Sequence, residues 1–87
     1  MVESKLKKTI IELALKKVEE EQIANDTNLT HDLGYDSILF VELIVNLEME
    51  FGITIDEEDL DVNQLLVYGN LLEYVKSKIE QLNALSS

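Results

Sequence analysis

The chain has no cysteine, which excludes a disulfide framework and a thiolate metal site. It has no apolar run of bilayer-spanning length, and Met1-Val2-Glu3-Ser4-Lys5 lacks a signal-peptide pattern. Both absences point to a cytoplasmic protein with no membrane span. His31 is its one histidine, and no G-x-S-x-G elbow is present. Nothing therefore supplies the base and oxyanion hole that a nucleophilic serine needs. The last absence is of one charge sign. No Lys or Arg lies between Glu19 and Val75, while 15 of the 18 acids fall there and the net charge is −11. Such a field repels nucleic acid and anionic membranes and attracts cationic surfaces. It is either a solvated acidic surface or a face read by basic patches on other proteins.

What is present suffices for one domain over residues 1–87, since 46% of the residues are hydrophobic and the length allows one modest core. Leu6, Ile10, Leu13, Ala14 and Val18 recur at helical spacing, widened by Ile11 and Leu15. They predict a helix over about 4–20 in a segment with no breaker and good helix formers. Periodicity then stops. Asn25, Asp26, Thr27, Asn28, Thr30, Asp32 and Gly34 predict a long polar loop over about 23–36, anchored by Leu29 and Leu33. A second helix over about 37–51 starts at the N-cap Asp36 and stops at Gly52. Phe40, Leu43, Ile44, Leu47 and Phe51 should face the core; Glu42, Asn46 and Glu50 should face water, with Leu39 heading the exposed row. Ile53-Thr54-Ile55 reads as an extended link. A short helix is expected within about 57–66, capped by Asp56, and a last helix over about 69–82. That last helix turns Leu71, Leu72, Val75 and Ile79 inward, with Asn70 as its candidate cap. The predicted fold class is all-α: a small bundle of three main helices plus one short helix, with a long first loop.

Ser37 carries the chemistry. It falls at the mouth of the second helix, where backbone N–H groups lack intrahelical partners and the dipole end is partly positive. A phosphate esterified to its hydroxyl would be well placed. With no base to activate it, Ser37 reads either as an acceptor modified by another enzyme or simply as a good helix start. His31 reads as a solvated loop residue. The acidic run from Asp56 to Asp61 does not make a calcium loop. Counted from Asp56, its sixth and twelfth positions are Asp61 and Val67 rather than Gly and Glu, and no metal site is expected.

At these residues the sequence resembles the acyl carrier proteins of the phosphopantetheine-binding family. Their pattern is a Gly-x-Asp-Ser-Leu turn entering a helix with Val-Glu-Leu, then acids and Glu-Phe. Here it stands as Gly34-Tyr35-Asp36-Ser37-Ile38, Val41-Glu42-Leu43, Leu47-Glu48 and Glu50-Phe51-Gly52. Upstream, Asp26-Thr27-Asn28-Leu29 and Asp32-Leu33-Gly34 also match. The resemblance covers the chain in length, acidity and helix order, and is most specific over residues 26–60.

The resemblance implies a non-enzymatic carrier. Ser37 would receive 4′-phosphopantetheine, covalently, from coenzyme A through a separate Mg²⁺-dependent phosphopantetheinyl transferase, and Asp36 would position that serine. The arm would carry acyl or aminoacyl groups as thioesters. Ile38, Leu39, Glu42, Glu48 and Glu50 would be the surface read by partners. Those partners would be an acyl-loading ligase or acyltransferase, and a ketosynthase or other pathway enzymes with basic docking patches; the chain would act as a monomer. Leu39 and Phe40 replace residues that are usually polar in fatty-acid carriers, Phe40 either as core or as the lining of an acyl pocket. They leave fatty-acid, polyketide and related specialised biosynthesis open. A peptidyl or aminoacyl carrier of a nonribosomal-peptide-type pathway is the alternative, followed by a non-carrier acidic helical interaction module.

Overall fold

A computed structural model describes residues 2–56, 58 and 61–86, with side chains up to Ala84. The chain forms helix α1 (Val2–Leu13), a 3-10 turn (Glu20–Gln22), helix α2 (Leu29–Leu33), helix α3 (Ser37–Phe51), helix α4 (Val62–Leu65) and helix α5 (Tyr68–Ser86). Helices α1, α3 and α5 are the three long helices of the expected all-α bundle. Helix α1 packs on α3 and on α5, and α4 packs on α5. Leu6, Ile10, Leu43, Leu47, Leu71 and Val75 form the heart of the core.

Helix α3 forms where local signals place it. The Asp36 side chain accepts a hydrogen bond from Leu39 N at 2.7 Å, and Asp36 O accepts from Phe40 N at 2.9 Å. At the far end Gly52 takes the left-handed conformation (φ 65°) and donates its N–H to Glu48 O. Only a residue without Cβ adopts that conformation at no steric cost.

Helix α1 ends at Leu13, not near residue 20. Ala14 N splits its hydrogen bond between Ile10 O (3.1 Å) and Ile11 O (3.3 Å), and the helical ladder stops there. The chain then turns so that Val18 and Ile23 reach the core, while Leu15 is left 81% exposed rather than widening the apolar stripe. Helix propensity is worth only tenths of a kcal/mol per residue, and burying two branched side chains outweighs it.

The long loop contains a helix of its own. Asn28 caps α2 by accepting from Thr30 N and His31 N, both at 2.9 Å, and Gly34 ends it at φ 77°. Leu29 and Leu33, one turn apart, are its buried anchors. Thr27 is buried and holds the preceding bend: its hydroxyl accepts from Ala24 N at 2.8 Å. Three backbone bonds then tie this loop to the start of α5. Leu29 N donates to Leu66 O (2.8 Å), Tyr68 N to Thr27 O (2.8 Å) and Gly69 N to Asn25 O (2.9 Å). A Cβ on Gly69 would stand 2.8 Å from Asn25 O, so glycine is what permits that approach.

The second half differs from expectation at two caps. Asp61, not Asp56, caps the short helix, accepting from Gln64 N at 3.4 Å. Asn70 lies inside α5, which starts two residues earlier, and its side chain donates to Gln64 O at 3.0 Å. The extended link is as expected: Ile53 and Ile55 are both buried. Glu57, Asp59 and Leu60 of the acidic run lie outside the described residues.

Candidate functional site

Ser37 is the first residue of α3, and its side chain is exposed. Of the N–H groups at this helix end, Leu39 N is taken by the Asp36 carboxylate and Phe40 N by the Asp36 carbonyl. The amides of Ser37 and Ile38 have no intrahelical partner. An exposed hydroxyl thus stands beside unpaired amides at the positive end of a 15-residue helix. That donor set suits a phosphate ester at Ser37. The adjacent Asp36 carboxylate is engaged by Leu39 N as the helix cap, and His31 is exposed on α2, with its backbone engaged in the Asn28 cap.

The turn bearing Ser37 is short and tightly held. Gly34 N donates to Thr30 O at 3.1 Å and Tyr35 N to Leu29 O at 2.9 Å. Tyr35 is 1% exposed, and its hydroxyl donates to Ile10 O of α1 at 2.6 Å. It covers the loop from inside and offers nothing to a partner. Burial pushes that hydroxyl's pKa well above the usual tyrosine value, so it remains a donor.

An apolar cavity of about 290 Å³ opens on the same helical face. Phe40, Val41, Ile44, Val45 and Glu48 of α3 line it, with Ile55 and Val62 opposite. From Ser37 these α3 positions follow i+3, i+4, i+7, i+8 and i+11. Along the helix axis the cavity lining therefore begins about one turn, roughly 5 Å, beyond Ser37 and runs for about 12 Å. Phe40 is both buried in the core and part of this wall. Glu48 is half-buried, and its Oε2 accepts from Ile55 N at 3.1 Å, closing the cavity floor.

The expected partner surface is only partly as predicted. Ile38 is 73% exposed, and Glu42 and Glu50 are exposed on α3. Leu39 is not on the surface; it is 8% exposed and belongs to the core. Leu39 lies on two rows at once: i+3 leads to the exposed Glu42, and i+4 and i+8 lead to Leu43 and Leu47, both fully buried. The core row claims it. Glu48 is turned toward the Ile55 amide instead of standing free with Glu42 and Glu50.

The exposed apolar residues that sequence reasoning missed are Val41, Val45 and Met49. With Ile38 they follow i, i+3, i+7, i+11, a seam running the length of α3 beside Glu42, Asn46 and Glu50. The signal was in the spacing, as a second apolar stripe flanking the core stripe.

Fold and site together define a presenting scaffold: a small helical bundle that displays one esterifiable hydroxyl at a helix mouth beside an apolar cavity. Comparison with known proteins agrees. Residues 7–75 match the phosphopantetheine attachment site family. The acyl carrier protein of Desulforapulum autotrophicum is 38% identical over 77 residues, covering 88% of this chain and 96% of the relative. Those of Thermotoga maritima (34% over 62 residues; 71% and 74% covered) and Lactobacillus johnsonii (40% over 60 residues; 69% and 72% covered) are also similar. The chain belongs to the acyl carrier proteins of the phosphopantetheine attachment family. It is a carrier and not an enzyme, its prosthetic group is covalently bound 4′-phosphopantetheine, and it works with a phosphopantetheinyl transferase and with pathway enzymes. The arm supplies a thiol for thioester chemistry. No helix among the described residues is long and apolar enough to cross a membrane.

Proposed function

We propose that Ser37 is the attachment point and that the whole chain acts as one carrier domain. In the arming step Ser37 Oγ forms the new bond to phosphorus. The phosphoanhydride of coenzyme A breaks, the adenosine bisphosphate half leaves, and the hydroxyl proton passes to a base of the transferase. The Ser37 and Ile38 amides then face the anionic phosphodiester, and Asp36 holds the first turn of α3 in place beneath it. The observation that carries this reading is the placement of one exposed hydroxyl at the N-terminus of α3, on the face that leads into the cavity.

The cavity lining supports an apolar acyl cargo. Each methylene that leaves water for it gains about 0.8 kcal/mol, so shelter grows with chain length until the volume is filled. One observation favours a second reading, an aminoacyl or peptidyl cargo: the Glu48 carboxylate in the wall is an acceptor for an ammonium or hydroxyl group. Apolar lining predominates, which supports acyl over aminoacyl and fits fatty-acid, polyketide or related specialised biosynthesis.

The α3 seam of Ile38, Val41, Val45 and Met49 beside Glu42 and Glu50 supports docking by enzymes that present apolar side chains ringed by Arg and Lys. A loading ligase or acyltransferase and a ketosynthase fit that description. Contacts of this kind are transient and salt-sensitive, as suits a monomeric carrier working in the cytoplasm. To test the attachment reading, the apo protein is incubated with coenzyme A, Mg²⁺ and a promiscuous phosphopantetheinyl transferase, and its intact mass is taken. The mass should rise by one phosphopantetheine in the wild type and not in Ser37→Ala. A gain that survives Ser37→Ala would place the arm elsewhere.

A further inference from the structure

Only Gly34, Tyr35 and Asp36 join α2 to α3. The backbone bonds of this connection all run to its own flanking helices: Gly34 N to Thr30 O, Tyr35 N to Leu29 O, and Phe40 N to Asp36 O. They fix the local shape of the turn; Leu29 N to Leu66 O anchors the far end of α2, but among the described residues no backbone bond of the turn itself reaches another part of the bundle. Among the hydrogen bonds of the described residues, the one that ties the turn itself to a long helix elsewhere in the fold is Tyr35 OH to Ile10 O, at 2.6 Å and 25 residues apart in sequence. It stands two residues from Ser37. Its acceptor lies in the last turn of α1, where that helix ends and the chain turns away.

We propose that Tyr35 is a positioning residue for modification of Ser37: its hydroxyl fastens the attachment turn to the end of α1 and so sets where Ser37 Oγ stands for the transferase. The inference rests on Ser37 being the attachment point. The ring and the hydroxyl have separable parts. The ring is wholly buried and fills core volume that phenylalanine would fill equally. The hydroxyl adds a directional bond on a group that burial keeps protonated. Ile10 O also accepts from Ala14 N at 3.1 Å, so removing the hydroxyl leaves no buried carbonyl unpaired. Tyr35→Phe is therefore a mild change for the fold and a direct one for the turn. The acidic α3 face that a transferase would dock on is untouched by it.

The test measures initial rates of phosphopantetheine transfer from coenzyme A over a range of apo-carrier concentrations. Tyr35→Phe should lower kcat roughly fivefold, the rate equivalent of one ordinary hydrogen bond, with KM close to wild type. Amide exchange should quicken at Asp36, Ser37 and Ile38 but not in α5. Ile79→Val, a mild truncation in partly buried α5, should leave kcat unchanged. Four results overturn the inference. These are a Tyr35→Phe kcat equal to wild type, a loss that appears in KM alone, an equal loss in Ile79→Val, and a Tyr35→Phe chain that does not fold. Ser37→Ala separates the two readings. If it abolishes modification while Tyr35→Phe behaves as wild type, the attachment reading stands and the positioning role falls; if it is still modified, both fall.

Discussion

Asp36 has two separable parts in this structure, and substitution can pull them apart. Its carboxylate accepts from Leu39 N at 2.7 Å, and its charge lies against the positive end of α3. Losing an N-cap acceptor costs about 1 kcal/mol, and losing a favourable charge at an exposed helix end about 0.5 kcal/mol. Asp36→Ala loses both, about 1.5 kcal/mol. In a chain of 87 residues this lowers Tm by about 6–12 °C. Asp36→Asn keeps a side-chain acceptor of equal capping strength and loses only the charge, so Tm should fall by no more than about 4 °C. Removing one of 18 acids also relieves self-repulsion, a contribution of opposite sign. High salt screens both charge contributions and leaves the cap. Thermal melts followed by helical circular dichroism, at low and high ionic strength, separate them: the Ala–Asn gap should persist in high salt. Equal melting of the two variants would refute the capping argument, and a gap that closes in high salt would show that the effect was charge throughout. If Asp36 also holds Ser37 for the transferase through its charge, Asp36→Asn should be folded yet slow to be modified.

Two further outcomes follow from burial. Leu39→Ala should cost about 2–4 kcal/mol in urea unfolding because Leu39 belongs to the core. Met49→Ala, at a position 79% exposed, should change stability by less than about 0.5 kcal/mol while weakening productive transfer to partner enzymes; the reverse order of stabilities would contradict the assignment of faces. Alkaline pH should unfold the protein cooperatively. Burial first, then the charges of Glu3 and Glu20, push the Tyr68 hydroxyl from 10.0 up to about 12, and burial pushes Tyr35 higher still. Folded tyrosines thus hold protons that unfolded ones release, so the stability they contribute is complete below pH 10 and is lost as pH climbs past 12. Tyrosinate absorbance and loss of helix should appear in one transition. Smooth titration near pH 10 with the helices intact would count against it.

The parts of this fold that were legible in the sequence are those decided within a few residues. Asp36 and Gly52 bound α3 by a cap and a left-handed stop, and the apolar spacing between them defined its core face. The end of α1 was not legible, because no breaker marks Ala14; the chain turns there so that Val18 and Ile23 can be buried, a demand set by distant partners. Helix α2 is too short for periodicity to reveal, although Asn28 and Gly34 bracket it. Leu39 shows the limit of face assignment at a helix end, where one residue serves two rows and only the neighbouring elements decide between them. In the sequence Gly69 marks only the start of the last helix; the reason for a glycine there is the Asn25 carbonyl, more than forty positions away. At the site, local chemistry places Asp36 and Ser37 at the mouth of α3 and leaves their role open, whereas the cavity is not legible, since Ile55 and Val62 complete its wall from beyond α3.

The three backbone bonds from Asn25, Thr27 and Leu29 to residues 66–69 set a schedule as well as a shape. The loop that leads to Ser37 is held by groups made late in synthesis. A nascent chain grows from its N-terminus, so Ser37 emerges some thirty residues before the partners of its loop exist. Until Leu66, Tyr68 and Gly69 have emerged, none of these three bonds can form. A chain truncated before α5 would keep Ser37, the proposed attachment point, and its local turn but lose two of these three bonds, those of Tyr68 and Gly69, so its modification should be slower than that of the full chain.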